Sequence, residues 1–296
     1  MRGFILSAES KSNPEIAMML KAAGELDIQL EIIDPRLLTV MLDPDKPHLL
    51  LEGAETPIPD FAIAAFAKDP SYGNISCLQQ LEAMGVLCVN RASVMETTKD
   101  KMLTLQKLSA AGIPVPKTIL NTSAATLPII QKELGFPLVL KVIGGSQGDG
   151  VILVNTPEEL KNTLQIAHAG NLQEELIIQK MVSTSKGRDL RVVVVNGKPH
   201  ACAQRKAPTK DGFKANYHAG GSIASYKLDD KIIDITNRVS EVLELFIGGV
   251  DLLFTDEGYV VCEVNSVPGL YFPGQETLWG SNIHMDILKS IKDELS

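Results

Sequence analysis

Three residues with oxygen-bearing side chains, Asp251, Glu263 and Asn265, occupy one predicted β-hairpin near the end of the chain. If that hairpin turns about Glu257, Asp251 faces Glu263, and Asn265 lies on the same face two residues further on. The flanking residues are apolar, so two facing carboxylates would repel each other unless a cation lies between them. Magnesium, which prefers oxygen ligands, is the natural candidate; an exposed carboxylate pair and a register shifted by a glycine bulge stay open as alternatives.

A lysine followed by a glycine-rich loop forms the second candidate site. Lys141 ends an apolar strand, and the segment 144–150 after it contains four glycines. Such a loop lets backbone N–H groups approach phosphate oxygens closely. The same segment contains Gly144-x-Ser146-x-Gly148, which a hydrolase nucleophile elbow would share, but a strand-like run follows it where the elbow needs a helix. A plain glycine-rich hairpin loop with a solvated lysine is the third alternative.

Cationic residues cluster around a second predicted hairpin, whose turn is Asn196-Gly197. Arg191, Arg205 and Lys206 lie on or beside its strands, where they could gather around a polyphosphate or a developing oxyanion. Scattered surface charge is the alternative for each of them. The five histidines lack the His-Glu-x-x-His spacing, which argues against zinc catalysis.

Composition narrows the class of protein. The 296 residues carry a formal net charge of −8 and are 45% apolar, which is typical of a globular protein with two or three domains. We expect no nucleic-acid partner, because such binders normally carry a basic field. No run approaches the roughly 20 apolar residues of a membrane span, so we expect a cytoplasmic protein without a membrane partner. The cysteines are predicted to be reduced core residues: Cys77, Cys88, Cys202 and Cys262.

The order of predicted elements divides the chain into three domains. Strands and helices alternate over residues 1–92, which predicts an N-terminal parallel α/β domain. Residues 93–185 open with a helix that a Ser93 capping box would begin and Gly112 would end, and continue as a compact α+β domain. Residues 186–296 are dominated by hairpins and predict an antiparallel sheet with one long helix.

The order and spacing of several motifs resemble the ATP-grasp carboxylate–amine ligases, and within them the RimK-type α-L-glutamate ligases. The resemblance covers nearly the whole chain, and its most specific part is Glu263-Val264-Asn265-Ser266-Val267-Pro268-Gly269. The other motifs are Asp100-Lys101, Pro137-Leu138-Val139-Leu140-Lys141, the glycine-rich loop, Gly187-Arg188-Asp189-Leu190-Arg191, Asn216 and Gly249-Val250-Asp251-Leu252-Leu253.

The resemblance implies a three-domain ATP-grasp fold that clasps ATP between a central lid domain and the C-terminal domain. It implies nucleotide contacts by Lys101, Lys141, Ser146, Gly148, Gln179, Lys180, Met181, Val182, Asp189, Lys214 and Asn216. Two magnesium ions, with manganese as an alternative, would be bound by Asp251, Glu263 and Asn265. Substrate contacts would come from Arg191, Lys206 and Asn216. Arg205 would be the catalytic residue that stabilises the acyl phosphate and the tetrahedral intermediate.

The implied reaction joins an amino acid, with glutamate suspected, to the carboxylate of a peptide, protein tail or small acid. ATP would phosphorylate the carboxylate, and an amine would displace the phosphate; positioning and charge neutralisation supply most of such catalysis. The chain departs from the family at Lys180, where many bacterial relatives carry glutamate, and at 66–69, which lack an expected Arg-x-Gly; acceptor identity is therefore not carried over. We also expect a homo-oligomer. A non-catalytic nucleotide-binding module and a serine hydrolase using Ser146 stay open as alternative functions.

Overall fold

The computed structural model describes residues 1–45, 48–66, 71–143, 150–170, 176–209, 212–213, 215, 220–272 and 274–296, without the side chains of 275 and 276. Four residues assigned to the site from sequence, Ser146, Gly148, Lys214 and Asn216, lie outside the described residues. Within the described part, no helix combines the length and the apolar character needed to cross a membrane.

Parallel strands and helices alternate in the N-terminal region. The elements are β1 (Arg2–Leu6), α1 (Pro14–Glu25), β2 (Gln29–Ile33), β3 (Leu38–Met41), β4 (His48–Leu51), β5 (Ala54–Glu55), β6 (Phe61–Ala64), α2 (Tyr72–Ala83) and β7 (Leu87–Val89). One sheet has the order β2-β1-β6-β7, and every neighbouring pair in it is parallel. The side chain of Asn13 caps α1, and Pro14 is its first residue. This sheet confirms the α/β prediction.

A second, small antiparallel sheet, β3-β4-β5, was not predicted. Its strands have two to four residues and mix buried with exposed apolar side chains: Leu38 is buried, whereas Met41 is 45% exposed. Strands this short, without an apolar and polar alternation, produce no periodic signal.

The predicted single helix from Ser93 to Gly112 is wrong in two respects. The structure has two helices, α3 (Ala92–Lys99) and α4 (Lys101–Ala110), and the cap of α3 is Arg91, which makes no side-chain capping bond. Asp100 separates the helices with an extended backbone, and its side chain accepts a hydrogen bond from the N–H of Leu103. The break therefore starts a new helix at Lys101 and directs that lysine toward the site described below.

The central region is an antiparallel sheet covered by two helices. The elements are β8 (Thr118–Leu120), α5 (Leu127–Glu133), β9 (Leu138–Val142), β10 (Val151–Val154), α6 (Pro157–Ala169) and β11 (Leu176–Lys180). The strand order is β10-β9-β11-β8. Ile130 and Leu160 from the helices pack with Leu138 and Ile178 from the sheet in a separate core. This arrangement confirms the α+β prediction for the region.

The C-terminal region contains a five-stranded antiparallel sheet. The elements are β12 (Arg188–Val195), β13 (Lys198–Lys206), β14 (Ser222–Ser225), α7 (Asp230–Leu243), β15 (Ile247–Thr255), β16 (Gly258–Asn265), α8 (Gln275–Trp279) and α9 (Ile283–Glu294). The strand order is β14-β13-β12-β15-β16. The predicted hairpin at Asn196-Gly197 is observed: Val195 pairs with Lys198, and both turn residues have positive φ, as a tight two-residue hairpin turn requires.

One continuous core joins the N-terminal parallel sheet to the five-stranded C-terminal sheet. Met19 of α1, Val193 of β12 and the buried residues Ile287 and Ile291 of α9 belong to the same apolar cluster. The last helix therefore packs against the first helix, although nearly the whole chain separates them. The N-terminal sheet is therefore packed close to the C-terminal sheet. The domain boundaries at 92 and 185 stay a prediction.

Candidate active site

One face of the five-stranded C-terminal sheet carries the charged residues. Asp189 of β12 pairs with Arg205 of β13, and Arg191 of β12 pairs with Asp251 of β15. Asp251 in turn pairs with Glu263 of β16. Residues paired across neighbouring strands project to the same side, so these five share a face. The opposite face of the sheet is apolar and packs with α7 in one core. The sheet contributes these buried residues to that core: Leu190, Val192, Val194, Val250 and Leu252.

Two arginines and two aspartates form a buried ion-pair network on this face. Arg191 donates to both oxygens of Asp251, with 2.9 Å between Nη2 and Oδ2. Arg205 donates from Nε and Nη2 to the two oxygens of Asp189, each at 2.8 Å. Its Nη2 also lies 2.9 Å from Oδ2 of Asp251. The network balances two cations against two anions, so removing one member leaves a buried charge without compensation.

The pKa values of the two buried aspartates shift in opposite directions. Loss of hydration raises the pKa of Asp189 to about 6, since it outweighs the attraction of Arg205. Burial acts on Asp251 in the same direction, but Arg191 and Arg205 together hold the pKa of that carboxyl below its ordinary value. Asp251 is therefore an anion at neutral pH, which suits a ligand for a cation.

The hairpin register brings Asp251 opposite Glu263, as predicted, but by a different route. Thr255 pairs with Gly258, a two-residue turn that alone would place Asp251 opposite Cys262. The register shifts by one residue between Asp251 and Leu252, because Cys262 is an extra residue on β16. The turn and the β-bulge cancel, and the predicted pair results.

The side chains of this hairpin fit a cation that prefers oxygen ligands. Glu263 is partly exposed, and the amide nitrogen of Asn265 is buried without a hydrogen-bond partner among the described residues. Three guanidinium contacts use three of the roughly four acceptor positions on Asp251, which leaves one. In the described part of the chain, no three His, Cys, Asp or Glu side chains converge, so the third ligand would have to be the amide oxygen of Asn265, because its amide nitrogen is a donor and cannot bind a cation.

Repulsion between the carboxylates of Asp251 and Glu263 is not an argument for a bound cation. Protein cations already lie beside both: the two arginines contact Asp251, and Lys101 Nζ lies 3.8 Å from Glu263 Oε1. The case for magnesium therefore depends on the set of oxygen ligands and not on an uncompensated charge.

Two lysines from different regions meet at the start of the glycine-rich loop. Lys101 Nζ donates to the carbonyl of Ile143 at 3.1 Å, and Lys141 Nζ lies 3.4 Å from Cys262 Sγ. Burial, opposed by Glu263 and helped by Lys141, lowers the pKa of Lys101. Two ammonium groups in a poorly hydrated place suit a ligand with several negative charges. The loop that would cover that ligand, with Ser146 and Gly148, lies outside the described residues.

The segment predicted to contact adenine lies at the end of β11. Gln179 is buried and donates to Thr118 Oγ1 at 2.9 Å, whereas the Lys180 side chain is exposed. The N–H groups of Lys180 and Met181 already donate to the carbonyls of Lys117 and Pro137. Contacts with adenine would therefore use groups of the segment 179–182 other than these two N–H groups.

Lys206 stands apart from the charged cluster. It is exposed at the end of β13 and pairs in register with Arg188, at the edge of the charged face. The structure thus brings together Arg191, Arg205, Asp189, Asp251, Glu263, Lys101 and Lys141. Lys214 and Asn216 lie outside the described residues.

Asn90 contacts the charged hairpin and was not found from the sequence. It is 2% exposed, and its amide donates to the carbonyls of Ile247 and Ser266, each at 2.7 Å. Its Oδ1 accepts from the N–H groups of Phe246 at 2.8 Å and Ile247 at 3.0 Å. These four bonds fix both ends of the hairpin, including the residue after Asn265. The sequence feature that could have indicated Asn90 is its place as a polar residue directly after the apolar run 86–89.

We expect Asn90→Ala to lower the free energy of unfolding by about 3 to 5 kcal/mol, because it orphans buried backbone donors and acceptors. Urea unfolding followed by circular dichroism measures the change. Asn155→Ala, at an exposed position, is the control and should shift the value by less than about 0.5 kcal/mol. Equal stability of the two variants would show that Asn90 does not hold the hairpin.

Two family models together match nearly the whole chain. A model described as the RimK pre-ATP-grasp domain matches residues 1–95, and one described as the RimK-like ATP-grasp domain matches residues 98–291.

Curated relatives carry a shared name. A protein of Thioalkalivibrio sulfidiphilus is 32% identical over 294 residues, covering 99% of this chain and 95% of the relative. A protein of Syntrophotalea carbinolica is 31% identical over 284 residues, covering 95% of this chain and 93% of the relative. Each is named "Probable alpha-L-glutamate ligase".

Solved structures share the fold. A RimK domain ATP-grasp protein from Sphaerobacter thermophilus superposes with a TM-score of 0.74 at 20% identity, over 98% of this chain and 99% of that one. The ATP-grasp ligase PsnB, complexed with a minimal precursor, Mg and ADP, gives 0.75 at 16% identity over 100% and 97% of the two chains. D-alanine–D-alanine ligase from Bacillus anthracis gives 0.67 at 19% identity over 100% and 97%.

Proposed function

The chain belongs to the RimK-like ATP-grasp family, and on this premise we propose the substrates and residue roles of its reaction. It is an ATP-dependent carboxylate–amine ligase that forms a C–N bond. We propose that ATP phosphorylates a substrate carboxylate and that the amino group of an amino acid then displaces the phosphate. The products are an amide, ADP and inorganic phosphate.

The observation that carries the residue roles is the convergence on one face of Arg191, Arg205, Asp251 and Glu263 with two lysines opposite. In the proposed assignment, Lys101 and Lys141 bind the phosphates of ATP, because Lys101 contacts the carbonyl of Ile143 and Lys141 lies in the strand that leads into the glycine-rich loop. Arg205 stabilises the negative charge that develops on the carboxylate oxygens during both steps. Arg191 fixes Asp251 and the edge of the substrate site.

Magnesium, held by Asp251, Glu263 and Asn265, would offset the charge of the phosphates when bound; manganese could replace it at the same oxygen ligands. The chain's own groups do the rest of the work, which is to hold and orient the reactants. No protein nucleophile is needed for such a transfer. Asp189 and the segment 179–182 would hold the ribose and the adenine, and Lys206 would contact substrate at the edge of the face.

The relatives' name supports glutamate as the amino acid, and we propose a peptide, a protein tail or a small acid as the carboxylate substrate. We further propose that the protein acts as a homo-oligomer, which size-exclusion chromatography with light scattering would measure.

We expect release of ADP and phosphate only when ATP, magnesium, an amino acid and a carboxylate substrate are all present. The assay crosses a panel of amino acids with a panel of peptides and small acids, and mass spectrometry identifies the amide formed. Omission of each component in turn is the control. ATP binding without any amide product, over the full panel, would favour a nucleotide-binding module instead. Turnover that needs Ser146 but no ATP would favour a hydrolase.

A further inference from the structure

A cavity of about 70 Å³ lies between the N-terminal sheet and the loop that follows β16. Its walls include Ile5 of β1, Ala64 and Ala65 at the end of β6, and Val89 at the end of β7. The strand order places the switch in direction between β1 and β6. In open parallel sheets, ligands bind beyond the carboxyl ends of the strands at this switch point. The cavity therefore lies where the fold is suited to hold a ligand.

The cavity is apolar, and its polar neighbours are already engaged by the protein. Glu15 accepts from the N–H groups of Leu270 at 3.0 Å and Tyr271 at 2.9 Å, and it contacts His284 at 3.0 Å. Ser266 Oγ is bonded to Thr98 Oγ1 at 2.7 Å. The remaining walls are side chains such as Met19 and Ile287.

These walls select against a charged group. A carboxylate in the cavity would lose its hydration without gaining a cation, and it would lie beside the negative charge of Glu15. An aliphatic group meets only favourable contacts there. The volume is about half that of an engineered apolar cavity that binds benzene, so it suits three or four carbon atoms.

The cavity adjoins the charged face. Its wall residue Ser266 directly follows Asn265, and Pro268 also lines it. A Cβ placed on Gly249 would lie 3.0 Å from Pro268 Cβ and 2.9 Å from Arg191 Cδ. Pro268 and the aliphatic stem of Arg191 thus lie on the same side of Gly249, close to each other. A substrate carboxylate near the two arginines would have its neighbouring carbon atoms close to Pro268.

We propose that this cavity binds an aliphatic side chain of the carboxylate substrate, so that the carboxylate activated by this ligase belongs to a residue or acid with a valine- or leucine-like group. The proposal rests on the proposed ligase function. The proposal assigns different side chains to the two substrates. The amine substrate can be glutamate, whereas the substrate whose carboxylate is activated has an uncharged aliphatic side chain.

Phosphate release with dipeptide carboxylate substrates that differ only in the C-terminal residue tests the proposal. We expect kcat/KM for valine- or leucine-ending dipeptides to exceed that for glutamate-ending ones at least tenfold. Ala65→Leu, at the half-buried rim, should lower kcat/KM for the leucine-ending substrate at least tenfold and spare the glycine-ending one, since one methylene in an apolar pocket is worth about 10- to 200-fold. The KM for ATP should not change.

Ala125→Leu, a substitution at a half-buried position of the central region, is the matched control and should leave the size preference unchanged. Met19→Ala enlarges the cavity and should shift the preference toward larger aliphatic groups, so it tests the proposal even if Ala65→Leu fails to fold. Equal or better use of glutamate-ending substrates, or an unchanged size preference in Met19→Ala, overturns the proposal. Absence of phosphate release with every substrate would instead overturn the proposed ligase function.

Discussion

The Glu263→Ala variant is expected to lose at least about a thousandfold in kcat while remaining folded. Glu263 is the carboxylate of the charged hairpin that is partly open to solvent, and it lies opposite Asp251 and 3.8 Å from Lys101. If it binds magnesium, its loss removes a ligand and the charge that holds the metal against the phosphates. Truncation takes from Lys101 the carboxylate 3.8 Å away, but the ammonium keeps its hydrogen bond to the carbonyl of Ile143, so the free energy of unfolding should fall by only about 1 kcal/mol.

Steady-state ADP release measures the loss in kcat, and calorimetric titration of ATP with and without magnesium provides a readout that does not depend on turnover. In wild type, magnesium should strengthen nucleotide binding; in Glu263→Ala, that strengthening should largely disappear. Glu257→Ala is the matched control, because Glu257 is an exposed glutamate in the turn of the same hairpin. Full magnesium-dependent activity in Glu263→Ala would show that the proposed metal face is wrong.

The pairing of Asp251 with Glu263 illustrates what sequence reasoning can and cannot do. The hairpin and its facing carboxylates follow from strand periodicity and turn residues, which are local properties. The turn length and the bulge at Cys262 do not follow from these local properties. Each of them alone would shift the register by one residue and move every side chain of β16 to the other face. The correct pair was predicted because a symmetric three-residue turn gives the same sum of positions as a two-residue turn with one bulge.

The cluster around Arg205 was not predictable in its details. Sequence reasoning placed Arg191 and Arg205 near a hairpin, but their bonds to Asp189 and Asp251 depend on the order of strands that are far apart in the chain. Asn90 depends even more on tertiary structure, since all four of its bonds reach residues more than 150 positions away. Local patterns found the elements; the contacts between elements required the folded chain.

The three-stranded sheet β3 to β5 and the break at Asp100 were missed for a different reason. Short, half-exposed strands carry no apolar period, and the capping-box match at Ser93 together with the helical run up to Gly112 hid the cap at Asp100. The break has a functional consequence, because it makes Lys101 the first residue of a new helix, from which it contacts the carbonyl of Ile143.

Replacement of Arg205 is expected to affect both turnover and stability, and the two effects can be separated. Arg205→Met should lower kcat by about a hundred- to a thousandfold, the loss typical when a donor to a developing oxyanion is removed. It should also lower the free energy of unfolding by about 3 to 5 kcal/mol, because Asp189 loses its bidentate partner and Asp251 one of two cations. Urea unfolding and ADP release measure the two quantities.

The double variant Arg205→Met/Asp189→Asn distinguishes a structural role from a catalytic one. Removing the charge of Asp189 takes away the buried anion that the missing guanidinium left uncompensated, so much of the stability should return. Turnover should not return, because no other cation replaces Arg205 at the substrate carboxylate. Arg205→Lys keeps the charge but cannot bond both oxygens of Asp189 in the same way, and it should fall between wild type and Arg205→Met in both measurements. Recovery of kcat together with stability in the double variant would mean that Arg205 acts on the reaction only by keeping the sheet intact.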